Sequence, residues 1–179
     1  GIKAITIKKN NTLLGAIITN GNTNILLAIN NGKAIIYSEK SIKTTNRNTI
    51  GVKGINIDKK EDIVIGMVAY NIDDNKKNVL VVSENGYGKR TLLNKYRITN
   101  RGCIGVKTLN ITKKTGKLIS ILIDSNNDEI IIIKNNGALL RIKVSTIRIV
   151  SRNSQGVKLV KLKKNERIAD ITLIKKKNI

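Results

Sequence analysis

Three copies of one short motif constrain this chain more than any other feature. Residues 46–53 read Asn-Arg-Asn-Thr-Ile-Gly-Val-Lys, residues 100–107 Asn-Arg-Gly-Cys-Ile-Gly-Val-Lys, and residues 151–158 Ser-Arg-Asn-Ser-Gln-Gly-Val-Lys. In each, an arginine (Arg47, Arg101, Arg152) stands four residues before a glycine (Gly51, Gly105, Gly156), and Val-Lys follows. The glycines lie 54 and 51 residues apart. A chain that repeats at such a period stacks like units, each needing its neighbours to cover its apolar face. Gly1-Ile2-Lys3 fits the tail of the same motif 50 residues before Gly51, so the sequence is expected to open in mid-motif, with more chain upstream.

A second marker keeps step with the first. Asn31-Gly32, Asn85-Gly86 and Asn136-Gly137 each place their glycine 19 residues before the motif glycine. Asn-Gly between apolar runs predicts a type I′ hairpin, because both residues tolerate positive φ. The flanks agree: Ile25–Ala28 and Ala34–Tyr37 bracket the first turn, and Val79–Val82 and Ile130–Ile133 precede the other two. After the third turn Leu140, Ile142 and Val144 alternate with Arg141 and Lys143, which predicts a half-buried strand with a basic outer face. One more apolar run per repeat (Leu13–Ile18, Ile63–Tyr70, Leu118–Ile123) precedes a variable polar loop (Thr19–Asn24, Asn71–Asn78, Asp124–Glu129). Four strands per unit is the arithmetic of a propeller-like blade, so the expected fold is all-β. The chain reads as one repeat domain over 1–179, with approximate repeats 1–50, 51–104 and 105–155 and a closing segment 156–179.

Charge narrows the partner. Lys and Arg total 34 against 12 Asp and Glu, a net charge of +22. Such an excess repels itself unless a polyanion answers it, and nucleic acid is the leading candidate. The sequence has no His and a single cysteine, Cys103, which cannot form an internal disulfide and suits a reducing cytoplasm. His/Cys metal clusters cannot be assembled, and no histidine can activate a serine or cysteine nucleophile. The acidic groups at Asp58, Glu61 and Asp62, at Asp73 and Asp74, and at Asp128 and Glu129 fall in turns out of register and read as solvated loops. Gly86–Thr91 has the wrong spacing for a nucleotide-binding loop and sits in a hairpin. No catalytic residue, metal or cofactor is expected. No apolar run approaches the roughly 18 residues of a membrane span, so no membrane partner is expected either.

Ser83-Glu84-Asn85-Gly86-Tyr87-Gly88-Lys89-Arg90-Thr91 and the motifs Arg47–Lys53 and Arg152–Val157 resemble the C-terminal DNA-wrapping domain of the bacterial DNA gyrase A subunit, in its C-terminal half. The resemblance covers essentially the whole chain. It implies a β-pinwheel, a propeller-like ring whose neighbouring blades exchange strands, of which this chain would hold about three of six blades. It implies sequence-independent binding, bending and wrapping of double-stranded DNA in support of ATP-dependent negative supercoiling. The partners implied are the rest of gyrase A and the gyrase B subunit, in the bacterial cytoplasm on the nucleoid. Two departures stand out: no glutamine followed by two basic residues and paired glycines occurs, and the chain ends Lys175-Lys176-Lys177-Asn178-Ile179, which is basic where many relatives are acidic. Two alternatives stay open. One is the C-terminal domain of the corresponding topoisomerase IV protein, the paralogue of gyrase A. The other is a protein-interaction propeller with an acidic partner.

Under this reading, phosphate contacts are expected first at Lys33, Lys89, Arg90, Arg141 and Lys143, which follow the hairpin turns. Next come Lys43, Arg47, Arg101, Arg148 and Arg152, in the loops leading to Gly-Val-Lys. Contacts of this kind carry no sequence code. The recurring arginines fit equally well a structural hydrogen bond to loop carbonyls between blades.

Overall fold

The structure is a computed structural model that describes residues 1–74 and 76–176; Asn75 and the terminal Lys177-Asn178-Ile179 lie outside the described residues. Among the described residues every regular element is a β-strand or a single 3-10 turn. Three antiparallel hairpins form over the three Asn-Gly turns. They are β1 (Thr23–Ile29) with β2 (Lys33–Ser38), β4 (Asn78–Ser83) with β5 (Tyr87–Leu92), and β8 (Glu129–Lys134) with β9 (Leu139–Lys143). A third strand pairs antiparallel on the far side of each: β3 (Val64–Asn71) beside β1, β7 (Leu118–Asp124) beside β4, and β11 (Ile168–Ile174) beside β8.

The fourth strand of a sheet comes from the stretch that follows the next hairpin. β6 (Val106–Lys107), the Val-Lys of the second motif, pairs with β2, and β10 (Val157–Lys158) pairs with β5. The sheets therefore run β3-β1-β2-β6, β10-β5-β4-β7 and β11-β8-β9. This exchange covers hydrogen-bonding edges that would otherwise be open. It continues in the loops at fixed register: Asn56 N donates to Cys103 O at 2.9 Å, and Asn110 N to Ser154 O at 3.1 Å. Each bond joins the residue five places after one motif glycine to the residue two places before the next. Thr6 N donates to Thr49 O at 2.9 Å in the same way.

Sheets stack face to face, which is why the central strands are apolar on both sides rather than alternating. In β4, Val79 and Val81 face the first sheet with Leu26, Ala28 and Ile36, while Leu80 and Val82 face the third with Ile130 and Ile132. Ile25, Leu27, Ile35 and Tyr37 form a further layer on the outer face of the first sheet, closed by Ile55. Each such side chain removed from water stabilises the fold by roughly 1.5–3 kcal/mol.

Two expectations fail at the ends of the stack. Leu13–Ile18 forms no strand, and Leu13, Leu14 and Ile18 are exposed. Its counterparts β3, β7 and β11 each pair with the hairpin one step upstream, and residues 1–12 hold no such hairpin. In β9 Ile142 is half-buried and Val144 just after it is buried as expected, but Leu140 is exposed along with Arg141 and Lys143, because among the described residues no fourth strand lies along that edge.

Candidate nucleic-acid interface

The ten basic residues singled out from the sequence separate into three environments. Lys89 and Arg90 are buried, at 0% and 4% exposure, and their burial overturns the expectation that they contact DNA. Lys89 Nζ donates to Ser151 O at 2.7 Å and Arg152 O at 2.5 Å. Arg90 donates through Nε to Ile147 O at 2.9 Å and through Nη1 to Asn126 Oδ1 at 2.7 Å, and its Nη1 is 3.4 Å from Asp124 Oδ1. Both cations tie β5 to the third repeat. The sequence singles them out because they follow the Asn85-Gly86 turn, but as neighbours in a strand they point to opposite faces, and sheets stack on both faces of this one.

Burial pushes the Lys89 ammonium down to about 8, with a smaller contribution from the Arg152 charge. The unfolded chain, with Lys89 near 10.5, then holds more protons between pH 8 and 10.5. The contribution of this group to stability is complete above 10.5 and is lost as pH falls through 8. Lys89→Met is expected to remove that rise, and urea unfolding of parent and variant across pH 7.5–10.5 checks it.

The second environment is the surface with a protein partner. Lys33 Nζ lies 3.1 Å from Asp58 Oδ2. Arg141 donates through Nε to Glu129 Oε2 at 2.5 Å, and Lys176 holds the other oxygen at 2.9 Å. The hydrogen bonds from Lys176 and Arg141 lower the Glu129 carboxyl below its ordinary range. Arg101 Nη1 donates to Lys53 O, and Arg152 Nη1 to Lys107 O at 2.6 Å. Each motif arginine thus holds the lysine carbonyl of the preceding motif, so the structural alternative holds at both positions. Arg47, their counterpart in the first motif, is exposed.

The third environment is the open surface. Lys43, Lys143 and Arg148 are exposed and have no carboxylate partner among the described residues. The structure adds a set the sequence reading missed. Lys8-Lys9, Lys59-Lys60, Lys113-Lys114 and Lys163-Lys164 recur seven to nine residues after Gly1, Gly51, Gly105 and Gly156, and all eight are exposed. The last three pairs cap the loops that lead into β3, β7 and β11, and Lys113-Lys114 lies beside an Asn-Gly turn: Asn85 Nδ2 donates to Lys113 O at 3.3 Å and to Lys114 O at 3.2 Å. The motif lysines Lys53, Lys107 and Lys158 are exposed as well. Counting forward from each motif glycine would have exposed the pairs, whereas composition hid them among 34 basic residues.

Such a surface can hold phosphates by charge. The described residues include no group of three or more His, Cys, Asp or Glu side chains able to hold a metal ion, and no helix long and apolar enough to cross a membrane.

The family model described as DNA gyrase C-terminal domain, beta-propeller, matches residues 24–71, 77–123 and 128–175. Each matched block opens at the first strand of a sheet and ends at its third. The DNA gyrase A subunit of Buchnera aphidicola subsp. Baizongia pistaciae (strain Bp) is 41% identical over 168 residues, covering 94% of this chain and 19% of that protein. The DNA gyrase A subunit of Ureaplasma parvum serovar 3 is 35% identical over 172 residues, covering 96% of this chain and 20% of that protein. The chain thus spans about a fifth of the length of these relatives. Among solved structures, a DNA gyrase A C-terminal domain superimposes with a TM-score of 0.86 at 25% identity, covering 96% of this chain and 57% of the other. The C-terminal domain of a DNA topoisomerase IV superimposes at 0.88 with 23% identity, covering 96% and 52%, a likeness of fold.

Proposed function

This chain belongs to the DNA gyrase C-terminal domain family, and from that membership we propose that it binds, bends and wraps duplex DNA without reading its sequence. It does so as part of a gyrase A subunit that works with gyrase B in an ATP-dependent type II topoisomerase of the bacterial cytoplasm. The observation that carries the reading is the recurrence, once per repeat, of exposed lysines with no ion-pair partner among the described residues: the motif lysine and the loop pair that follows it. A rigid stack that repeats a cationic cluster can meet successive phosphates of a duplex, and phosphates carry no base identity. Lys43, Arg47, Lys143 and Arg148, exposed elsewhere on the stack, are further candidate phosphate contacts. Strand passage and ATP hydrolysis belong to other parts of the enzyme, and this chain supplies the DNA path. The topoisomerase IV reading draws on fold likeness, whereas the relatives of 33% to 41% sequence identity are gyrase A subunits.

The test is the salt dependence of duplex binding, measured by anisotropy of labelled duplexes of unrelated sequence. With roughly five to eight phosphates engaged, log K should fall against log salt with a slope of about −4.5 to −7, alike for all sequences. A slope near zero, or one duplex strongly preferred, would remove the reading.

A further inference from the structure

Where the second and third repeats meet, a cleft of about 300 Å³ opens beside the Asn85-Gly86 turn. Its lining includes Tyr87, Lys114, Lys158, Lys163, Glu166 and Arg167. Lys114 comes from the loop before β7, Lys158 from β10, and the last three from the loop before β11, so three separate segments converge on it. Tyr87, 8% exposed, forms a fixed wall. The ammonium groups of Lys114 and Lys158 lie 5.6 and 5.9 Å from the centroid of its ring. The ring holds both cations near the cleft, and neither has a carboxylate partner among the described residues.

The one acid of the cleft does not neutralise them. Glu166 accepts from Lys134 Nζ at 3.2 Å, from Asn136 Nδ2 at 3.1 Å and from the backbone of Lys163 at 2.9 Å. The same place between the first and second repeats is built differently. There Lys33 stands where Tyr87 does and is tied to Asp58 at 3.1 Å, and Asp62 accepts from Asn31 Nδ2 at 2.6 Å. Counting from the motif glycines, Asp58, Glu61 and Asp62 correspond to Thr112, Thr115 and Gly116. The acids that close the first junction are thus replaced by uncharged residues at the second.

Resting on the duplex-binding reading above, we propose that this cleft is a dedicated phosphate-holding site. One phosphate group lies against the Tyr87 edge between Lys114 and Lys158, and Lys163 and Arg167 lie at its mouth. An anion there meets four cations lining one cleft, so it gains more than a phosphate placed on scattered surface charges. The shared ligand chemistry is a phosphoryl anion, supplied by a duplex backbone or by a free polyphosphate.

The chain has four tyrosines, so the ring signals of carbon-13-labelled tyrosine report on Tyr87 while Tyr37, Tyr70 and Tyr96 serve as internal controls of the fold. The whole chain is titrated at low salt with a short duplex and, separately, with inorganic pyrophosphate, with duplex anisotropy recorded in parallel. The duplex is expected to shift the Tyr87 signals alone. Lys114→Gln with Lys158→Gln should abolish that shift and reduce the salt slope by about 1–2. Lys40→Gln with Lys95→Gln, two exposed lysines outside the proposed duplex surface, should leave the Tyr87 shift in place. A Tyr87 shift with pyrophosphate but not with duplex keeps the site and assigns it to free polyphosphate. Duplex binding with no Tyr87 shift from either probe overturns the site and leaves the DNA reading standing. Absent duplex binding with a Tyr87 shift from pyrophosphate does the reverse. No duplex binding and no shift from either probe overturns both.

Discussion

An Arg90→Ala chain is expected to unfold with about 3–5 kcal/mol less free energy than the parent, the cost of breaking one side of a buried ion pair. Arg90 and Asp124 have side chains 5% and 0% exposed. The guanidinium also satisfies Ile147 O and Asn126 Oδ1, so alanine orphans three acceptors of the third repeat, Asp124 included. Asp124 is already strained toward its neutral form. Burial pushes its carboxyl up to about 6, against the lowering effects of Asn78 and Arg90. Its Oδ2 has no hydrogen-bond partner among the described residues, so nothing there offsets the cost of burying its charge. Since the folded value lies above the unfolded 3.8, this group's contribution is complete below pH 3.8 and is lost as pH rises through 6. Without Arg90 the carboxyl rises further. The penalty of Arg90→Ala should therefore be largest near neutral pH and shrink on acidification toward pH 4, as read by urea unfolding at a series of pH values. Arg90→Met with Asp124→Leu should recover much of the loss, because no charge is then left buried. A penalty under about 1 kcal/mol for the single alanine would mean that the pair does not hold the repeats together.

Gly105→Ala and Gly156→Ala are expected to cost about 2–5 kcal/mol each, combining roughly 1–2 for a side chain at positive φ with roughly 1–3 for overpacking. Gly105 has φ +83° and Gly156 +78°. A Cβ on Gly105 would lie 2.6 Å from Ala34 O, and one on Gly156 2.5 Å from Gly88 O. Both obstacles are backbone of the upstream sheet, so relief requires lifting β6 off β2 or β10 off β5. Gly51 provides the control: φ is +83°, yet nothing lies within 4 Å of its Cβ position, so Gly51→Ala should cost only the backbone part, about 1–2 kcal/mol. Equal losses at all three glycines, measured by denaturant unfolding, would show that close approach between repeats contributes nothing.

Much of the fold was legible because it rests on local chemistry. Asn-Gly dictates a turn wherever β-branched residues flank it, and the hairpins β1–β2, β4–β5 and β8–β9 formed where the three dipeptides stand. The site was less legible. Arg141 and Lys143 alternate outward as their spacing implied, but Lys89 and Arg90 in the corresponding part of β5 are buried. Period-2 alternation assigns a side chain to one face of its own sheet and says nothing of a second sheet stacked on that face. The paired lysines were overlooked because they sit in loops, where no periodicity marks them.

The order of letters along the chain, then, determined the repeat, its period, its hairpins and its cationic excess, since each depends on residues close together in sequence. Only the tertiary structure decided which cations face water. That depends on which repeat's strand closes which sheet, as β10 does for β5, and on which carbonyls and carboxylates, from Ser151 to Asp124, that closure brings within reach.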